Sequence, residues 1–561
     1  MKIIFTLLLL VYTLRIGAEP MPFSLSANDT PCLYAENDNT YYATVVMPEQ
    51  GELEVTLTCE GLEGNDVTLL SLDEQPIKPS VSLVSWNEGK HCLAVLINGN
   101  LRNYQLIFTS LPVVKMDIDP DSPISKEISA HAFITITDAL SRVDGNNIYT
   151  TDAEVHYRGS STINYEKKSF SVDLVDGDGS ERDAIFFSNR KTDKWILDGM
   201  VLDYSRMRNR LCFNLYNRIA SMRDDKMIRN GTKGEYVELI LNGSYHGLYC
   251  LSDKVNRSLL SLKKAKNGII NGILYKCTTN TDSSAYLIRP ESEVDVSSIF
   301  VYSWELKYPD ELPCEESWAP LLDLMDYITT NLNDPDKMST NLFGLFHKDN
   351  LLTAHTFYYA VMLTDNMMHN NYLSLYNVHA DHKFWITPWD LDASFGRDGK
   401  GNELFHQRSE SMIVANDCQP FRMLFDMEDN NYYKGIHEKW DELKVGALSK
   451  ASVFSEIDSL QQVISESGSW AREYERWNNS PHPLPLSLSE ETLRMKEWYS
   501  FNYEWLSNYR LLTDGIEEMK EDKPAQTTIY TLQGIPVSPD QFHRSIPKGI
   551  YILNGKKHLI R

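Results

Sequence analysis

Positive charge is in short supply. The chain carries 54 lysines and arginines against 78 aspartates and glutamates, a formal net charge of -24, with no basic stripe longer than a few residues. Such a chain repels a phosphate backbone, so nucleic acid is not expected among its partners. Long apolar runs are also lacking. Beyond the amino terminus nothing approaches the roughly 18 consecutive apolar residues of a membrane helix, and no membrane span is expected. No His-Glu-x-x-His, Gly-x-Ser-x-Gly or Gly-x-Gly-x-x-Gly occurs, which removes the main support for zinc-protease, α/β-hydrolase and dinucleotide-binding readings. The eight cysteines, at 32, 59, 92, 212, 250, 277, 314 and 418, include no Cys-x-x-Cys pair and no zinc-finger spacing with histidine. Cys212 and Cys250 fall within apolar patterns and read as buried free thiols.

What remains is a globular composition of 561 residues, 42% hydrophobic, 24% charged and 11% aromatic. That length exceeds what one hydrophobic core organises, so several domains are expected. Met1 and Lys2 precede an apolar run from Ile3 to Leu14, too short to cross a bilayer of about 30 Å, and the small pair Gly17-Ala18 follows. Residues 1–18 therefore read as a cleaved signal peptide, and the protein as secreted, periplasmic or displayed at the cell surface. Residues 19–110 alternate β-type segments such as Tyr41 to Val46 with turn clusters and suggest a small all-β sandwich.

Leu111-Pro112-Val113-Val114 opens the main domain, 111–513. Its first part is mixed, with an Asp-Gly turn at Asp144-Gly145 and an Asn-Gly hairpin at Asn242-Gly243, and beyond Glu403 the pattern turns mainly helical. The change of composition at Leu111-Pro112 predicts that the main domain folds without residues 22–108. A linker at 514–526 leads to a short β tail, 527–561, with a hairpin signal at Asn554-Gly555 and too few residues to bury a core unaided. The expected fold class is thus α+β.

Three constellations carry chemical promise. In Phe384-Trp385-Ile386-Thr387-Pro388-Trp389-Asp390-Leu391-Asp392 an apolar approach ends in two aspartates, which project to one side if the chain stays extended. Like charges on one face repel, and a shared divalent cation such as magnesium relieves them; an Asx-rich turn is the plainer alternative. Upstream, a helical pattern from Asn350 to Thr364 ends just before Asp365, and Asn370 follows at the Asp-x-x-x-x-Asn spacing of protein-kinase catalytic loops. In those loops the Asp orients the acceptor hydroxyl and the Asn holds metal. In Glu166 to Leu174, alternation puts Lys168 in phase with Phe170, Val172 and Leu174 and assigns Lys167 to the polar face. Lys168 then either meets an anion such as a nucleotide phosphate or snorkels from the strand end. Arg158-Gly159-Ser160-Ser161 just before it is a small-residue turn rich in donors, and Arg158, Ser160 and Ser161 form a weak phosphate cradle.

Together these stretches resemble the CotH kinase family, named for a bacterial spore coat protein with an atypical, secreted protein-kinase-like fold. The resemblance covers roughly residues 111 to 513 and is carried by Leu111-Pro112-Val113-Val114, Tyr157-Arg158-Gly159-Ser160-Ser161, Lys167-Lys168-Ser169-Phe170, Lys194-Trp195-Ile196-Leu197, Met207-Arg208-Asn209, Val237 to Gly243 with His246-Gly247-Leu248-Tyr249, and Pro388 to Gly396. It implies binding of ATP with Mg2+ or Mn2+ and transfer of the γ-phosphoryl group to serine or threonine of an exported protein. Under it Asp390 and Asp392 hold metal with Asn370, Asp365 is the catalytic carboxylate and Lys168 contacts phosphate. The family commonly shows glutamate where Asp253 precedes Lys254. The segment from Ile529 to Lys557 resembles tails of exported Bacteroidetes proteins, some of which are sorting signals. A catalytically inactive kinase-like scaffold serving as a surface or matrix binding protein is the competing reading.

Overall fold

The computed structural model describes residues 21–47, 53–62, 64–76, 82–84, 89–160, 162–187, 190–221, 231–366, 369–404, 419–426, 430–480, 484–485, 487–518 and the strands between 529 and 560. The signal-peptide reading, Ser161, Cys418 and the Asn554-Gly555 hairpin tip fall outside these residues. The architecture is mixed α and β, and among the described residues no helix is long and apolar enough to cross a membrane. The chain forms two compact units, one through Glu504 and one from Trp505. The second contains a four-stranded antiparallel sheet in the order Pro536–Val537, Ile529–Thr531, Gly549–Leu553, Lys556–Ile560.

The first unit begins with β structure only. A six-stranded sheet, including Thr40–Thr44, Lys90–Ile97 and Asn100–Thr109, faces a three-stranded sheet built on Phe23–Ala27. Alternation in Phe-Ser-Leu-Ser-Ala sends Phe23, Leu25 and Ala27 into a shared core with Tyr41, Leu93, Val95 and Phe108. The other face of the six-stranded sheet is also buried: Leu33, Ala35, Tyr42 and Ile107 pack on Val113 and Ile240 of the next assembly. Lys115, buried there, donates to the Tyr34 carbonyl at 2.9 Å and pairs with Glu36, and Thr109 donates to Glu238 at 2.6 Å. Deleting 22–108 therefore removes the counter-ion of a buried lysine together with an apolar contact, which the composition change at Leu111 did not signal.

The next assembly is a closed seven-stranded barrel in the order Val113–Ile118, Ala130–Thr137, Ile148–Arg158, Ser169–Val175, Lys194–Asp198, Ser244–Asp253, Gly234–Leu241. Every pairing is antiparallel except the one that closes the ring, between the first and last of these. Alternate residues such as Val114, Met116, Ile134, Val172, Trp195 and Tyr249 fill the interior. The Asn242-Gly243 pair has φ of 48° and 77°, which is what a two-residue hairpin turn with the right twist requires.

A five-stranded sheet follows, ordered Phe300–Val301, Trp304–Tyr308, Ile273–Cys277, Asn371–Leu375, Trp385–Pro388. Helix Lys348–Val361 lies against its last strand and is buried all round from Asn350 onward. Asn350 on that helix closes the open edge by donating to the Ile386 carbonyl at 3.1 Å and accepting from its N–H at 2.7 Å. Met362, with φ of 51°, ends the helix. The carboxyl-terminal part is helical: Gln419–Asp426, Asn431–Leu443, Lys450–Glu466, Ser469–Trp477 and Leu488–Glu518. Asn430 and Ser449 cap two of these helices with their side chains.

Candidate active site

Strand register gathers the acidic residues. Asn371 pairs with Pro388, so the residues just outside that antiparallel pair, Asn370 on one side and Trp389 on the other, become neighbours. The Trp389 N–H donates to the Asn370 carbonyl at 3.0 Å, and Asp365, Asn370, Asp390 and Asp392 are brought into one region. The Asn370 amide donates to Asp365 Oδ2 at 2.9 Å, and His369 Nδ1 lies 3.4 Å from Oδ1. That hydrogen bond holds His369 above its usual pKa in spite of burial. The Asp365 side chain is 49% exposed and accessible to a partner molecule.

The loop 389–396 is fixed from two helices. Thr364 N–H donates to the Ala393 carbonyl at 3.2 Å and Phe395 N–H to the Val361 carbonyl at 2.9 Å, tying the loop to the end of helix Lys348–Val361. Asn209, on helix Arg208–Ser221, accepts from Leu391 N–H at 3.1 Å while its amide donates to Asp198 at 3.0 Å. The fully buried Arg208 donates to the Ser394 carbonyl at 3.0 Å and is neutralised by Asp203 at 2.7 Å and Glu491 at 2.5 Å. The Met207-Arg208-Asn209 stretch thus positions the segment between and after the two aspartates. The adjacent buried thiol, Cys212, is free and pushed up to about 12 by burial; Cys250 is likewise buried, free and pushed up to about 12.

The geometry of the aspartate pair differs from the sequence reading. The strand stops at Pro388 and Asp390 sits at φ of 59°, so the two carboxylates are not brought together by extended alternation. They are related through a turn held by its neighbours. Water reaches Asp390 through the mouth of a cleft, yet the surrounding protein desolvates its carboxyl and raises its pKa, with Asp198 and Asp365 adding to the rise and Arg158 and Lys276 opposing it. Burial first, and then Asp390, Asp198, Asp203 and Asp365, push Asp392 well above the usual carboxylate range. No hydrogen bond or ion pair reaches either carboxylate among the described residues. The cleft is lined by Arg158, Asp198, Asn209, Trp389 and Asp390.

The burial of the two lysines is the reverse of that read from alternation. Lys167, given to the polar face by alternation, is the buried member of the pair, with 1% of its side chain exposed. It donates to the Leu248 carbonyl at 2.7 Å and pairs with Glu473, which also receives Arg206 at 2.8 Å and the Leu248 N–H at 2.8 Å. Burial alone would raise the Glu473 pKa; Lys167 and Arg206 outweigh it and hold the carboxyl below its ordinary value. The reason for the reversal is local. Strand Ser169–Val175 begins after both lysines, which follow the single turn Thr162–Asn164, so the strand's phase does not extend back to them. Lys168 is half-buried, donates to the Ile163 carbonyl at 2.6 Å and stands 5.7 Å from the Tyr157 ring centre. No contact joins it to the aspartates among the described residues. Ser160 is exposed at the turn, and of the two described cradle residues Arg158 reaches the cleft. Asp253 pairs with Arg190 at 2.8 Å.

Gly247 belongs to the Lys167 network. Its φ is 108°, and a Cβ there would lie 2.3 Å from Glu473 Oε2 and 2.8 Å from Trp477 Nε1. Gly247→Ala is therefore expected to destabilise the protein by about 1–3 kcal/mol from backbone strain alone, with more from the displaced carboxylate. An equilibrium denaturation midpoint equal to wild type would contradict this account.

Sequence reasoning missed Asp198, Asn209 and Lys276. Asn209 and Asp198 stand in or beside stretches quoted above, so proximity to those motifs was their signal. Lys276 had none: it is an isolated lysine on strand Ile273–Cys277 whose ammonium stands 5.5 Å from the Trp389 ring centre. Burial, with Arg158, lowers its pKa to about 8, against the pull of Asp390.

The family described as CotH kinase protein matches residues 155–506, more than half of the chain. The chain belongs to this family. Among curated proteins it is 22% identical over 350 residues to the inner spore coat protein H of Bacillus subtilis (strain 168), an alignment covering 61% of this chain and 81% of that protein. The CotH match takes in the barrel from its third strand, the five-stranded sheet and the helices through Glu504, and so includes every site residue named above. Membership points to a kinase-like function.

Proposed function

We propose that this protein transfers the γ-phosphoryl group of ATP to serine or threonine hydroxyls of exported proteins, with Mg2+ or Mn2+ at the aspartate pair. The observation that carries the reading is the convergence of Asp198, Asp365, Asp390 and Asp392 with Arg158 beside one cleft. Among the described residues no three acidic, histidine or cysteine groups stand close enough to cage a metal by themselves. That fits magnesium bound with a nucleotide, which takes one or two carboxylates from the protein and fills its shell with water and phosphate oxygens. Two carboxylates that desolvate and repel one another without a partner fit such a cation. When bound, it would neutralise phosphate charge.

The chain's own groups then divide the work. Asp365, exposed and oriented by Asn370, accepts the proton of the acceptor hydroxyl as that oxygen bonds to the γ-phosphorus and the bond to the β–γ bridging oxygen breaks, releasing ADP. Arg158 faces the phosphates from the barrel side. Asn209 and Arg208 keep the loop 389–396 in place.

A thermal-shift titration tests the reading: ATP with Mg2+ or Mn2+ at about 100 times its dissociation constant should stabilise the fold by roughly 2.7 kcal/mol. No stabilisation at millimolar ATP with either metal would favour the inactive scaffold instead.

A further inference from the structure

We infer that Lys276 and Arg158, both held on the Trp389 indole, form an anion site for the terminal phosphate of the nucleotide. The inference rests on the phosphoryl-transfer reading and adds a phosphate contact to the one that the family resemblance implied for Lys168. The two cations come from different assemblies: Arg158 ends a barrel strand, whereas Lys276 lies within the five-stranded sheet, paired in register with Tyr372. Lys276 Nζ stands 5.5 Å from the Trp389 ring centre and 5.7 Å from that of Tyr372, and the Arg158 guanidinium carbon stands 5.1 Å from that of Trp389.

Among the described residues neither cation has a carboxylate at ion-pair distance. Cation–π contact compensates only part of the lost hydration of an enclosed charge, so a site of this kind favours an incoming anion. Lys167 and Lys168 are poorer candidates, since the first is neutralised by Glu473 and the second is turned onto the Ile163 carbonyl. Position completes the argument. Trp389 immediately precedes Asp390, so an oxyanion touching both cations lies next to the carboxylates that would share its metal. Asp198, Asp365, Asp390 and Asp392 would otherwise repel a polyphosphate, and the two cations give it a place to approach.

The test uses full-length protein, Mn2+ and three probes: ATP, AMP and inorganic tripolyphosphate, titrated calorimetrically against wild type, Lys276→Met and Lys276→Arg. Lys276→Met should weaken ATP and tripolyphosphate by about 10-fold or more and leave AMP unchanged, with most of the loss restored in Lys276→Arg. Wild-type affinity of Lys276→Met for both polyphosphates would overturn the anion site while sparing the kinase reading. Conversely, wild-type protein that takes tripolyphosphate in a Lys276-dependent way but not ATP would support the anion site and overturn the nucleotide reading. Should Lys276→Met fail to fold, protection of Lys276 in wild-type protein from an amine-acylating reagent by tripolyphosphate decides the matter: protection supports the site, and equal labelling overturns it.

Discussion

Asp392→Ala is expected to abolish the metal-dependent part of ATP binding and to lower phosphoryl transfer by at least about 10³-fold, because neutralising developing phosphate charge is worth several kcal/mol and each 1.36 kcal/mol is tenfold in rate. The same substitution should leave the metal-free protein as stable as wild type or more so. Asp392 is a desolvated carboxylate pressed by Asp390, Asp198 and Asp203, so removing it relieves repulsion rather than breaking a pair. A merely structural aspartate would show the opposite signature, with lost stability and no particular link to metal. Asp390 needs a different replacement, because alanine at φ of 59° would add backbone strain to the loss of charge. Asparagine tolerates that conformation, and Asp390→Asn should reproduce the metal defect in similar or milder form. The measurement is radiolabel transfer from ATP beside calorimetric titration with and without Mn2+. An Asp392→Ala protein whose ATP affinity still rises with metal as in wild type would refute the assignment.

Turn chemistry and local acidic motifs were the legible parts of this sequence. Asp144-Gly145 and Asn242-Gly243 both form turns with positive φ at each residue, as their identities require. The spacing of Asp365 and Asn370 and the run into Asp390 and Asp392 fall in one region because a strand pair, Asn371–Leu375 with Trp385–Pro388, connects them. Illegible were the relations that only closure creates. Lys167 meets Glu473 across 306 residues, and Val113–Ile118 closes the barrel against Gly234–Leu241 in parallel, with no local pattern to announce either. Periodicity also failed where it was carried past the end of its element. The Lys167 and Lys168 phases were read from a strand that begins at Ser169, and the common side of Asp390 and Asp392 from one that ends at Pro388. Lys276 illustrates a third kind of failure. A lone lysine becomes a candidate ligand only when tertiary structure sets it on an aromatic ring near a cleft and, among the described residues, leaves it without a carboxylate at ion-pair distance.

Asp365 should behave unlike the metal pair, and the contrast is what distinguishes a phosphotransferase site from a cation-binding loop. Its side chain is 49% exposed and lies beyond the end of helix Lys348–Val361, where its described partners are the Asn370 amide and His369. The backbone of its segment is held independently, by the Thr364 N–H on the Ala393 carbonyl and by the Asn366 amide on the Trp389 carbonyl at 2.6 Å. Asp365→Ala should therefore fold normally, bind ATP and Mn2+ with close to wild-type affinity, and transfer phosphate about 10²-fold or more slowly, the usual scale for a positioned acid or base. The fall should appear in kcat and kcat/KM together, since an interaction made with the reacting hydroxyl in the transition state leaves ground-state binding of nucleotide untouched. Asn370→Ala, which removes the amide that orients Asp365, should give a smaller loss in the same direction. An Asp365→Ala protein with unchanged transfer would place the catalytic carboxylate elsewhere in the acidic cluster, and Asp198, joined through Asn209 to the backbone between the paired aspartates, would then be the first residue to substitute.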